Sequence, residues 1–190
     1  MCTMDKSKSL KAVYYLTLVL VVASMAVSAL GMVDFMFFEK NAYAFFSMLF
    51  FFVISLLSFI IVIRKDRSSG ILFYIVMFLY MAALLATGIM IPLAVWPGTT
   101  LKYVVIALSV LVVVGLIVFN VIWRNYNAAR PLISVLVAIE WVIAVLTVTG
   151  FSDAGFADFN LILGMAFARP VTLSALALTY IQHHLARNGK

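Results

Sequence analysis

Six long apolar stretches, each near the length a helix needs to cross a bilayer, leave this chain few ways to fold. They cover residues 12–33, 42–63, 71–95, 103–123, 131–149 and 159–181. A helix rises about 1.5 Å per residue, so roughly 20 residues traverse a hydrocarbon layer of about 30 Å. Backbone groups in lipid have no water to bond, which restricts spans to helices or a closed barrel. Barrel strands alternate apolar and polar residues, and these runs do not alternate. The expected fold is all-α: a polytopic integral membrane protein, one transmembrane domain over residues 1–190, built as a six-helix bundle. Composition agrees, since 66% of the residues are hydrophobic and 11% charged, against roughly 45–50% and 25% in a soluble domain.

Charge placement gives the orientation. With a cytoplasmic N-terminus, the inner side holds Lys6, Lys8, Lys11, Arg64, Lys65, Arg67, Arg124, Arg130, Arg187 and Lys190. The outer side holds only Lys40 and Lys102 among the cations, with Asp34, Glu39, Asp153 and Asp158. Excess basic residues on the cytoplasmic side are the usual orientation signal, so N-in/C-in in the plasma (inner) membrane is expected. The net charge of +6 is thereby an orientation feature that also suits anionic headgroups, and no nucleic-acid partner is expected. The one cysteine, Cys2, permits no intramolecular disulfide and no thiol cluster. A signal peptide is the competing reading of the N-terminus, with Val27-Ser28-Ala29 as its cleavage site. The apolar run is too long for a typical signal core.

The expected loops are 64–70 and 124–130 inside, and 34–41, 96–102 and 150–158 outside. Connections this short make consecutive helices antiparallel neighbours. Trp96 and Tyr103 mark an outer aromatic belt, and Tyr14, Tyr15, Trp123 and Tyr126 an inner one. Pro97-Gly98 reads as a turn, and Pro92 should bend the end of the third span. Leu10-Lys11-Ala12-Val13 resembles Leu101-Lys102-Tyr103-Val104, which suggests inverted halves. The other spans do not align, and Val/Leu-rich helices match one another by chance. The phenylalanines of the second span should face lipid or dock another membrane subunit.

Two charges lie deep in the spans. Glu140 sits midway along the fifth, and Arg169 falls at a similar depth on the sixth. A lone charge there costs several kcal/mol, from about 3 to above 10 by different measures, and pairing is the natural remedy. The pair then reads either as a midplane site for an anionic solute or ion, or as a lock between helices that adds specificity more than stability. Three- and four-residue spacing extends the Arg169 face through Thr172, Leu176, Thr179 and His183, and the Glu140 face through Ala144 and Thr147. The first span adds Thr17, Ser24, Ser28 and Gly31, and the fourth Ser109 and Asn120. Small and hydroxyl residues also serve plain helix packing in membranes. A polar centre lined mainly by the first, fifth and sixth helices is expected. Pro170 removes a backbone donor beside Arg169, so the last span is either continuous or a re-entrant half-helix over 159–168.

The functional expectation is binding or translocation of a small solute or ion by Arg169 and Glu140, supported by Thr172, Thr147 and Asn120. An accessory or scaffold subunit of a larger membrane complex is the alternative, and an intramembrane lipid-acting enzyme a third. No catalytic role, cofactor or metal is expected: the only histidines, His183 and His184, are adjacent and lack the spacing of a zinc-binding helix.

Overall fold

The computed structural model describes residues 3–38, 42–64, 69–90, 92–93, 100–153 and 159–188, and their regular structure is helical throughout. The helices are α1 (Thr3–Phe38), α2 (Ala42–Arg64), α3 (Ser69–Leu85), α4 (Leu101–Ile122), α5 (Tyr126–Asp153) and α6 (Phe159–Asn188). A π-helical segment, Ala86–Met90, continues α3. Among the described residues, five segments are long and apolar enough to cross a membrane: Lys11–Met32, Phe45–Ile63, Ile71–Ile89, Leu101–Ile122 and Tyr126–Gly150. The chain has an all-α, membrane-like fold.

Helix ends depart from the apolar runs in a consistent direction. α1 continues to Phe38 because no Gly or Pro follows Asp34 to stop it. α5 begins at Tyr126 rather than at Pro131. The Asn125 carbonyl accepts the Ala129 N–H at 2.9 Å and starts the helix early. Pro131 then deprives only the carbonyl of Asn127, an exposed residue whose carbonyl other donors can reach. The α4–α5 connection shrinks to 123–125, with the Asn125 N–H on the Ile122 carbonyl at 2.8 Å. α3 switches to π geometry five residues before Ile91 instead of running on as an α-helix to 95. No half-helix forms at 159–168, because α6 runs unbroken through Pro170. Trp96, the Pro97-Gly98 turn, Cys2 and several loop charges lie outside the described residues.

Each helix packs on its sequence neighbour and α6 returns against α1, so the six close into a ring; α2 also reaches α6. Ile54, Met77, Leu84, Leu116 and Ile133 fill the interior with no exposed surface. Large apolar side chains such as Val19, Phe78, Ile117 and Val145 are turned outward, an exterior suited to lipid. The second span divides its phenylalanines. Phe46 and Phe50 face out, whereas Phe51 is wholly buried and meets the Tyr80 ring edge-on at 6.1 Å. The expectation that all of them face lipid fails because the helix must also fill the core.

Hydroxyls form a directed seam where α6, α1 and α2 meet. Ser55 donates to the Phe51 carbonyl at 2.8 Å, which uses its single proton. Ser24, 2.6 Å away, must therefore donate to Ser55. Thr172, also 2.6 Å from Ser24, then donates to Ser24. Thr172 to Ser24 to Ser55 to Phe51 is thus one chain of hydrogen bonds, with every proton used and every member buried. At one end of the bundle, Trp123 and Tyr126 pack inward instead of standing apart as surface anchors. Tyr180 donates to the Trp123 carbonyl at 2.7 Å. Its ring lies 5.0 Å from Phe119 and 6.0 Å from Tyr126, which stacks on His184 at 4.2 Å. Tyr180→Phe should cost about 1 kcal/mol, read from the unfolding midpoint in micelles; an unchanged midpoint would show that the bond contributes nothing net.

Candidate functional site

Glu140 on α5 and Arg169 on α6 are buried, at 0% and 3% exposure. Arg169 Nε donates to Glu140 Oε2 at 3.1 Å and Nη2 donates to Oε1 at 3.0 Å. Two parallel bonds between a planar guanidinium and a carboxylate make the most directional ion pair proteins use. Nη2 also donates to Ser109 Oγ of α4 at 3.0 Å. From α3, Tyr80 donates to the Arg169 backbone carbonyl at 3.0 Å. Gly88 of the π segment closes the same spot: a Cβ built there would lie 2.5 Å from Ser109 Oγ and 3.2 Å from Arg169 Nη1. Only a residue without a side chain lets the backbone approach this closely.

The pair is lined by α3, α4, α5 and α6, not by the first helix as expected. The α1 hydroxyls are spent on the seam to α2 and α6. A bidentate partner, a hydroxyl acceptor and a hydrogen-bonded backbone are what a buried ion pair needs to offset its lost hydration. The arrangement is therefore stable and also chemically incomplete. A guanidinium carries five N–H hydrogens, and both on Nη1 lack an acceptor among the described residues. Ser109 accepts from Arg169, and its own proton has no acceptor among those residues.

The supporting residues expected from sequence lie elsewhere. Thr172, one turn from Arg169, gives its proton to Ser24. Thr147 returns its hydroxyl to the Ile143 carbonyl at 2.7 Å, two helical turns, or about 10 Å, from Glu140. Asn120 is eleven residues from Ser109 on α4, about 16 Å along the axis, and its buried Oδ1 has no partner among the described residues. Ser109, Tyr80 and Gly88 take their places. Ser109 carries the one hydroxyl in the middle of α4, which was its available signal. Tyr80 and Gly88 had none, because their roles depend on how α3 is rotated and on the π turn. Among the described residues no three His, Cys, Asp or Glu side chains converge to hold a metal.

No protein-family model matches the chain, and no curated protein or solved structure shows a significant match to it.

Proposed function

We propose that this is a six-span membrane protein that binds or translocates a small solute or ion at the Arg169–Glu140 pair, with both termini cytoplasmic. Support for the sixth crossing comes from α6, whose 30 residues extend about 45 Å against α1, α2 and α5. The excess of basic residues on one side supports the orientation. The carrying observation is the buried arginine with two donors left over, enclosed by apolar helices. Ionisable residues at such depth most often mark a pathway or a ligand counter-ion. Arg169 would engage an anionic group, and Glu140 would hold the arginine or exchange a proton.

Mutual neutralisation of the two charges also favours a second reading, an accessory subunit of a membrane complex in which the pair locks α5 to α6. Thermal unfolding against a panel of small anions separates the two. A ligand at 100 times its Kd should stabilise the wild type by about 2.7 kcal/mol. Arg169→Gln should abolish that response while still folding. Stabilisation that persists undiminished in the variant would remove Arg169 from the site. The absence of any response in the wild type would favour the accessory role.

A further inference from the structure

We propose that the pair takes up one small monovalent anion together with one proton, the anion on Arg169 Nη1 and Ser109 Oγ and the proton on Glu140. This rests on the solute-handling reading above and names its substrate class and its coupling.

The seat is set by hydrogens without acceptors. Glu140 occupies Nε and one Nη2 hydrogen, and Ser109 occupies the other. Two Nη1 hydrogens and the Ser109 proton remain, and both groups border the point where a Gly88 Cβ would stand. Three convergent donors beside a positive charge suit an anion. The Gly88 backbone presses on Ser109 with no room even for a Cβ between them, so an anion is admitted only as α3 moves away from α4.

The proton follows from charge balance. Paired, the site is neutral; a bare anion would leave it at minus one among buried groups, which is unfavourable. The groups facing Glu140 are Arg169 from α6, Ser109 from α4 and Tyr80 from α3, which is held on the Arg169 carbonyl. Arg169 stays charged, and Tyr80 already uses its proton as a donor. Glu140 is thus the group that can take the compensating proton. Protonated, it keeps one acceptor oxygen for the guanidinium, so Arg169 stays held in place. Anion and proton enter from the same side and leave together, so uptake carries no net charge.

The test uses the full chain in unilamellar phosphatidylcholine vesicles, with a pH-sensitive dye inside and sodium chloride as the probe. An inward chloride gradient should acidify the lumen roughly tenfold faster than in empty vesicles, with a potassium ionophore making no difference. Ser109→Ala, which leaves the Arg169–Glu140 pair in place, should weaken chloride dependence by roughly tenfold, the loss of one hydrogen bond to a charged group. Glu140→Gln should stop acidification, and its chloride entry should then require the ionophore. Chloride entry without protons in the wild type overturns the coupling and leaves solute handling intact. Where vesicles show no flux, chloride should raise the wild-type unfolding midpoint in acidic micelles and not in alkaline ones. A midpoint indifferent to chloride at both, while another solute still acts through Arg169, overturns this proposal alone. Arg169-independence towards every solute overturns both.

Discussion

Glu140→Leu alone should destabilise the folded chain by about 3–5 kcal/mol, because it leaves the Arg169 guanidinium buried with Ser109 as its one remaining acceptor. Arg169→Met alone should do comparable damage by stranding the carboxylate. The Glu140→Leu/Arg169→Met double variant should return to within about 1.5 kcal/mol of the wild type or exceed it, since well-packed apolar residues often match or better a buried ion pair. Unfolding in mixed micelles measures all three. A double variant as damaged as the sum of its parents would mean that the two charges do not act as a pair, against the bidentate geometry.

The stable double variant also separates the two functional readings. If the pair only locks α5 to α6, an apolar substitute packs as well and leaves the protein's role in its complex intact. If the pair is the site, the same variant folds and responds to no anion. Stability and function are therefore read on one molecule.

What sequence could reveal here divides by how far each inference reaches through space. Membrane class and helical content follow from run length and composition, which act locally. The Glu140–Arg169 meeting was accessible because depth along a helix can be counted in residues, and adjacent helices joined by a short loop have to touch. Rotation about each helix axis cannot be counted in that way. Nearly uniform apolar surfaces give little facing signal, so Phe51 turned inward beside the outward-facing Phe50, and α1 proved to serve the Ser24 seam instead of the arginine. Thr172 shares the Arg169 stripe, yet a turn of offset hands it to a different neighbour. The π segment was invisible because Ala86–Met90 reads as an ordinary helical stretch, although such segments often sit beside functional sites.

Gly88→Ala should be unusually damaging for the gain of a single methyl group, on the order of 1–3 kcal/mol. The added Cβ would lie 2.5 Å from Ser109 Oγ and 2.6 Å from Ser109 Cβ. The second atom is fixed to the α4 backbone, so no rotamer change relieves it, and α3 must part from α4 by about 1 Å to restore normal contact. Gly115 supplies the contrast: its added Cβ would meet only the outer carbons of the Leu136 side chain, which can turn aside, so Gly115→Ala should cost less. Ser109→Gly removes both obstructing atoms. Gly88→Ala combined with Ser109→Gly should therefore be more stable than the two separate losses predict, with a coupling of about 1 kcal/mol or more. Parting α3 from α4 also draws Gly88 away from Arg169 Nη1, so Gly88→Ala should loosen anion dependence even where it folds. Additive losses at Gly88 and Ser109 would mean that the π segment does not press on the site.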